Sequence, residues 1–263
     1  MSVLAPAIYA RIARAKEHLA SLKAEIDAFC RRNAHEVRHE IDPETAEKIV
    51  VYYAREHIPV TWSILIGEIA HNLRSSLDQA VYDLTIRESG HPVEFSEFPI
   101  FTDRDRFKNT GKGGGLYKIR GVPPKTREAI ERVQPFNVRS DGKESLTWLL
   151  QELSIIDKHR TIHLCRRKTT GMEMRAVRDI TFTGNADLFR LPIGKLEDRA
   201  ILARWKPANG IDDEVYMEAT IAFEIAFDDA TISTIAGHPV ITICEGIITS
   251  VERVMELIES TLS

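Results

Sequence analysis

Two polar clusters interrupt helical segments that are otherwise apolar. The first spans residues 71–78, His-Asn-Leu-Arg-Ser-Ser-Leu-Asp, and the second spans residues 157–160, Asp-Lys-His-Arg. Arginine, histidine and aspartate are the side chains that bind oxyanions and transfer protons. Charged groups on or beside the core-facing side of a helix are costly unless they meet partners, so a sequence that keeps them usually uses them. The clusters therefore locate a candidate site.

The first cluster places its polar groups on one side of a predicted helix. At about 100° per residue, five of them fall within a narrow arc. They are His71, Arg74, Ser75, Asp78 and Tyr82. The arc lies nearly opposite an apolar stripe that contains Leu73, Leu77 and Leu84. Taken alone, this pattern also fits the solvated face of an ordinary amphipathic helix.

The second cluster lies in the next long predicted helix. Arg160 falls in the middle of the apolar stripe of that helix, and Asp157 falls near its edge. Because buried polar groups are hydrogen-bonded, both side chains need partners. We therefore predict that Arg74 packs near Asp157 and that Asp78 packs near Arg160. The histidines expected at the rim are His71 and His159.

Two interpretations of this predicted network stay open. Crossed arginine–carboxylate pairs can fix the register of two helices without doing chemistry. The same groups beside an open cleft would form a binding or catalytic site. A third interpretation is a small-molecule site between the predicted sheet and the helices.

The two clusters also carry a resemblance. Residues 71–78 and 153–160 resemble motifs of a widespread family of uncharacterised bacterial proteins. Pro-Ile-Phe at 99–101 and Gln-Pro-Phe at 134–136 match the same family, and the similarity covers roughly residues 1 to 165. The family has no assigned activity, so the resemblance implies a lineage alone.

A weaker resemblance is to the HEPN superfamily of helical bundles, many of which are metal-independent ribonucleases. Their motif has an arginine, a polar residue and a histidine five to seven positions after the arginine. The resemblance implies that arginine stabilises charge on the scissile phosphate while histidine transfers a proton. Relatives often have histidine where this chain has Gln79, so His71 or His159 would have to supply the proton transfer here.

The HEPN resemblance implies RNA binding or a metal-independent endoribonuclease. Arg74 and Arg160 would hold phosphate, and the aspartates would orient them. The full predicted set is His71, Arg74, Asp78, Asp157, His159 and Arg160. The competing hypothesis is a non-catalytic structural or interaction protein.

A locally basic stretch begins at residue 160 and suits a phosphate backbone. Within it, Arg166 and Arg167 are the predicted substrate-binding residues, although solvated strand ends would have the same composition. His159 and His163 have the spacing of metal ligands on a helix, but no third ligand accompanies them. We therefore expect no metal and no cofactor.

The period of the apolar residues predicts the elements that carry these clusters. Long helices are expected at 7–32, 61–88, 144–165 and 240–262, with a hairpin at 37–53 and a short helix at 124–132. Thr61 is the expected N-cap of the second long helix, and residues 90–143 are expected to be mostly loops, with a mobile glycine-rich loop at 111–115. A strand at 215–227 is expected to pair with strands at 180–182, 188–191 and 201–205.

These elements predict an α+β fold: a bundle of about four long helices with a β-hairpin after the first helix, and a C-terminal antiparallel sheet closed by a final helix. Residues 1–170 would form the bundle and hairpin, and residues 171–263 the sheet and final helix, within one continuous unit.

Composition restricts the functional classes. The chain of 263 residues has a net charge of −4, so RNA would have to be attracted by local rather than global charge. No apolar run approaches the roughly 20 residues that span a bilayer, so we expect no membrane partner. The three cysteines are far apart and the N-terminus lacks the apolar core of a signal peptide, which favours a cytoplasmic protein. RNA and a second copy of the chain are the candidate partners.

Overall fold

Helices and two small antiparallel sheets make up the fold. The computed structural model describes residues 4–32, 35–138, 141–176, 195–205 and 217–262. The helices in these ranges are α1 Pro6–Arg31, α2 Val60–Ser89, α3 Arg104–Lys108, α4 Gly115–Lys118, α5 Pro124–Arg132, α6 Leu146–His159 and α7 Val240–Glu259. The strands are β1 His35–Ile41, β2 Lys48–Ala54, β3 Leu164–Ala176, β4 Ile201–Trp205 and β5 Met217–Phe227.

Helices α1, α2, α5 and α7 form where the apolar period predicts them. The buried residues of α1 recur every three or four positions, as in Ile8, Ile12 and Ala15, because one side of the helix faces the core. Helix α2 ends at Gly90, whose φ of 76° is the left-handed conformation that glycine adopts at low cost. The predicted N-cap at Thr61 is wrong, because Pro59 holds that position and makes no side-chain cap.

Helix α6 is shorter than its sequence pattern predicts. It ends at His159, and Arg160 leaves it in an extended conformation with φ −149° and ψ 167°. Beyond the helix, the chain forms hydrogen bonds with other elements. The Ser63 hydroxyl donates to the Ile162 carbonyl at 2.6 Å. The His163 amide donates to the Thr231 hydroxyl at 2.8 Å. These contacts lead the chain into β3, where a continued helix was expected.

The hairpin prediction is confirmed, and the prediction of one C-terminal sheet is wrong. Strands β1 and β2 pair antiparallel, with Val37 opposite Tyr52. Strand β4 adds to the other edge of β2, so the order of this sheet is β1-β2-β4. Strand β5 pairs with β3 instead, in a second antiparallel sheet. The strands expected at 180–182 and 188–191 lie outside the described residues.

The glycine-rich segment at 111–115 does not end in open loop. Gly115 begins the short helix α4, and a Cβ atom at Gly114 would lie 2.0 Å from the Asn109 carbonyl oxygen. The absence of a side chain at Gly114 therefore permits a close backbone contact there.

Helix α2 occupies a central position among the long helices. It contacts α1, α6 and α7, and α7 also contacts α1 and α6. The main hydrophobic core draws residues from both sides of position 170, including Leu77 and Val251, and β3 itself crosses that position. In the described part of the chain, no helix combines the length and apolarity needed to cross a membrane.

Candidate functional site

Arg74 and Asp78 form a clamp on the backbone of Phe98. One guanidinium nitrogen of Arg74, Nη2, lies 2.9 Å from Asp78 Oδ1. The same nitrogen donates to the Phe98 carbonyl at 2.8 Å, and the Phe98 amide donates to Asp78 Oδ1 at 2.9 Å. Phe98 is fully buried. One turn of α2 therefore satisfies both polar groups of this residue and holds the segment after α2 against the helix.

The clamp is largely removed from solvent. The Arg74 side chain is 11% exposed, and the Asp78 side chain is 33% exposed. Burial raises the pKa of the Asp78 carboxyl, while Arg74 and the Phe98 amide oppose the rise. Nη1 of Arg74 is buried and has no hydrogen-bond partner among the described residues. The contacts of the pair are thus made by Nη2 of Arg74 and Oδ1 of Asp78, both of which bind the Phe98 backbone.

Asp157 lies beside Gly67 of α2, about two helical turns from Arg74. A Cβ atom at Gly67 would be 1.9 Å from Asp157 Oδ1, so the carboxylate lies directly over that glycine. Gly67 precedes Arg74 by seven residues, which is about 10.5 Å along a helix. The expected Arg74–Asp157 pair does not form. Since Ser63 contacts Ile162 and Gly67 contacts Asp157, α6 runs antiparallel to α2 in a register that sequence reasoning did not capture.

Arg160 is not on the core-facing side of α6, and that prediction is wrong. The helix has ended before this residue, and its side chain is exposed. It forms no ion pair within the described part of the chain, so the expected pair with Asp78 is also absent. His71 and His159 are exposed as well. Of the six predicted residues, hydrogen bonds or ion pairs join Arg74 and Asp78 alone.

The end of α6 presents a lysine, a histidine and an arginine to solvent. Lys158, His159 and Arg160 are all exposed. None of the three has a hydrogen bond or ion pair with another described side chain, in contrast to arginines such as Arg104 and Arg204. Positive groups at a helix C-terminus are favoured by the helix dipole. We call residues 158–160 the α6 terminus.

The two predicted substrate-binding arginines have protein partners. Arg167 Nη1 donates to the Gly237 carbonyl at 2.6 Å and lies 3.5 Å from a carboxylate oxygen of Glu224. Arg166 is only 8% exposed, and its Nη2 donates to the Glu56 carbonyl. Arg166 is thus buried against protein partners, whereas the Arg167 side chain remains about one-third exposed (33%).

Arg166 instead belongs to a buried cluster that sequence reasoning missed. The carbon of its guanidinium lies 5.2 Å from the Phe29 ring centroid and 6.0 Å from that of Phe223. The His35 ring stacks on the Tyr52 ring at 5.6 Å and meets the Phe223 ring edge-on at 5.5 Å. We call Arg166, His35 and Tyr52, with the two phenylalanine rings, the Arg166 cluster. The sequence pattern predicts a strand at Tyr52 but carries no signal for the neighbours of its side chain.

Each of the three polar residues in the Arg166 cluster has an unpartnered atom. Nε of Arg166, the hydroxyl of Tyr52 and Nδ1 of His35 are buried without a hydrogen-bond partner among the described residues. Burial lowers the pKa of His35, and Arg166 and Arg55 lower it further, so its imidazole is neutral near pH 7. Burial raises the pKa of Tyr52, which keeps the hydroxyl protonated as a donor.

Metal binding has little geometric support in the described ranges. No three side chains of His, Cys, Asp or Glu are grouped there as ligands for a metal ion. His159 and His163, which have the spacing of ligands on a helix, do not share one, because α6 ends at His159.

Comparisons with protein-family models, with curated proteins and with solved structures find no match for this chain.

Proposed function

We propose that the protein binds RNA through phosphate contacts at the α6 terminus, and that Arg74 has a structural role. The observation that supports the proposal is the exposure of Lys158, His159 and Arg160 without intramolecular partners in the described part of the chain. Lysine and arginine neutralise phosphate charge, and histidine can add a further contact when it is protonated.

Local rather than global charge would drive this binding. The whole chain carries a net charge of −4, so the protein as a whole repels a polyanion. Two or three phosphate contacts on a single strand predict a slope of about −2 when the logarithm of the association constant is plotted against that of salt concentration. Affinity at physiological salt should accordingly be modest.

The clamp argues against a HEPN-type cleavage site centred on Arg74. Such a site needs an arginine and a histidine at one scissile phosphate. Arg74 already binds the Phe98 carbonyl and Asp78, and His71 is not joined to it. The contacts of Arg74 therefore support the non-catalytic alternative, in which Arg74 and Asp78 hold the chain together and RNA is bound without being cut.

Charge removal at the α6 terminus tests the binding proposal. Fluorescence anisotropy with a labelled single-stranded RNA oligonucleotide would compare the wild type with the double variant Lys158→Gln/Arg160→Gln. The matched control is Lys125→Gln/Arg132→Gln, which removes two exposed charges from α5. We expect the first variant to bind about tenfold more weakly and the control to change binding less than about twofold. Equal losses in both variants, or no binding by the wild type, would overturn the proposal.

Incubation of the RNA with EDTA present tests the absence of cleavage. We expect intact RNA with the wild type and with His159→Asn. Cleavage by the wild type that disappears in Arg74→Lys, with an unchanged melting temperature, would instead support the metal-independent ribonuclease.

A further inference from the structure

We propose that the Arg166 cluster is a buried binding site for a small oxyanion, either inorganic phosphate or a carboxylate of similar size. The site is formed by the end of α1, the β1–β2 hairpin and the paired strands β3 and β5. It is independent of the RNA proposal, since the α6 terminus is exposed and Arg166 is not.

The buried charge of Arg166 calls for a partner. Arg166 is buried, yet no carboxylate in the described part of the chain forms an ion pair with it. The nearby Glu56 contributes its backbone carbonyl, while its carboxylate accepts hydrogen bonds from Arg32 at 2.7 to 3.1 Å. The aromatic faces of Phe29 and Phe223 stabilise the guanidinium in part. The hydrogen bond from Arg32 and, less strongly, the charge of Arg166 lower the pKa of the Glu56 carboxyl, so Glu56 is a nearby negative charge that Arg32 already binds. A bound anion would supply the hydrogen-bonded partner that Arg166 itself lacks among the described residues.

Three buried polar atoms of the Arg166 cluster lack hydrogen-bond partners among the described residues. Folded proteins leave few buried polar groups unpartnered, and each exception calls for an explanation. Here Nε of Arg166, the hydroxyl of Tyr52 and Nδ1 of His35 are exceptions in one cluster. The Phe223 ring joins them, because it lies 5.5 Å from the His35 ring and 6.0 Å from the guanidinium carbon.

The donor set defines the chemical class of the ligand. The N–H of Arg166 and the O–H of Tyr52 both need an acceptor, and charge-assisted hydrogen bonds to an oxyanion are the strongest available. The neutral His35 imidazole can donate or accept at Nδ1, depending on its tautomer. The Phe29 and Phe223 rings pack edge-on against each other with centroids 6.4 Å apart, and this close packing restricts the ligand to a small one.

A hydroxyl deletion tests the proposal with little disturbance of the fold. Thermal unfolding of the full chain would be followed with potassium phosphate, sulfate or acetate, with chloride added to keep ionic strength constant. At an anion concentration of about 100 times Kd, the wild type should melt about 5 °C higher. Tyr52→Phe should bind the anion about tenfold more weakly, because it loses one hydrogen bond to a charged group.

Tyr53→Phe is the matched control. Its hydroxyl bonds Glu40 at 2.5 Å, outside the Arg166 cluster, so the anion effect should equal that of the wild type. Without anion, Tyr52→Phe should be at least as stable as the wild type, since it removes an unpartnered hydroxyl. If a buried water bonds this hydroxyl instead, Tyr52→Phe will lower the melting temperature in every buffer and no anion will raise that of the wild type, which would overturn the proposal. Equal anion shifts in all three proteins would show a general salt effect and would also overturn it.

Alkylation of Cys30 provides a second readout. The thiol is half-buried, and burial raises the pKa of Cys30. The nearby Arg166 offsets part of this rise. A bound anion would cancel that influence of Arg166 and reduce the thiolate fraction. We expect phosphate to slow the reaction with iodoacetamide at least about twofold in the wild type, and Tyr52→Phe to need about tenfold more phosphate for the same effect. An unchanged rate in the wild type at saturating phosphate would contradict an anion at Arg166.

Discussion

Arg74 has the residue type and spacing of a catalytic group, but its hydrogen bond is to the backbone of Phe98. Arg74 and Asp78 lie one turn apart on α2, as a pair that could act on a ligand would. Their contacts are instead with the two polar groups of Phe98, a buried residue outside any helix or strand. Unpaired peptide groups in that position would be costly, so a polar clamp on an otherwise apolar helix has a structural explanation.

The pH dependence of stability should reveal the buried state of Asp78. Its folded pKa is raised from 3.8, so the folded protein binds this proton more tightly than the unfolded chain. The contribution of the group to the free energy of unfolding therefore falls as pH rises from about 4 through the raised pKa, and is constant above it. Asp78→Asn removes this slope and keeps an oxygen acceptor for the Phe98 amide.

Urea unfolding of the wild type and Asp78→Asn at several values between about pH 3 and 7 measures the effect. At neutral pH we expect Asp78→Asn to be at least as stable as the wild type, because the neutral amide avoids the cost of burying the carboxylate charge that raises the pKa. The stability of the wild type relative to the variant should be greatest at the acidic end. A relative stability that increases towards neutral pH would contradict the raised pKa.

At the scale of elements, the close approach of α2 and α6 depends on one small residue. Gly67 faces Asp157 so closely that a Cβ atom would lie 1.9 Å from Oδ1 and 2.3 Å from Cγ. Glycine in a helix interior is less favourable than alanine by about 1 kcal/mol. Gly67 therefore lowers the stability of α2 itself but permits the close contact with Asp157. A larger residue at position 67 would overlap the carboxylate of Asp157.

A double-mutant cycle at Gly67 and Asp157 tests this contact. Gly67→Ala alone should change stability little or reduce it, because the gain in helix propensity is offset by displacement of the carboxylate. In an Asp157→Ala background the same substitution should stabilise the protein by about 1 kcal/mol. Chemical unfolding of the four proteins gives the coupling free energy. Additive effects would indicate that the side chain of Asp157 moves aside at no cost.

On the scale of the whole molecule, α2 joins parts of the chain that are distant in sequence. It packs against α1, α6 and α7, and its apolar residues lie at the centre of the main core. The hairpin is joined in the same way to a distant strand, because Arg204 near the end of β4 lies 2.6 Å from Asp42 in the turn between β1 and β2. Such contacts make the N-terminal and C-terminal parts interdependent.

Truncation of a central leucine should therefore destabilise the molecule strongly. Leu77 is fully buried, and Leu77→Ala should lower the free energy of unfolding by about 3 kcal/mol through lost burial and a cavity. Ile64 on the same helix is 54% exposed, and Ile64→Ala should cost less than about 0.5 kcal/mol. Denaturant unfolding compares the two. Similar losses would contradict the central position of α2.

Elements with a local cause can be predicted from the sequence alone. The apolar period of α1, α2, α5 and α7 and the alternation in β1 and β2 predict these elements, because a buried face leaves a regular spacing. The left-handed glycine at position 90 marks the end of α2 for a similarly local reason. That part of the fold follows from residues close together in the chain.

Long-range packing determines which elements and side chains meet. Periodicity shows that a face is buried without showing its partner, so Arg74 was matched with Asp157 when its partners are Asp78 and Phe98. The chain beyond α6 forms hydrogen bonds with the distant residues Ser63 and Thr231, and β4 pairs with β2 rather than with β5. Arg166 reaches a carbonyl 110 residues away, and such a contact leaves no trace in local spacing because long-range packing alone creates it.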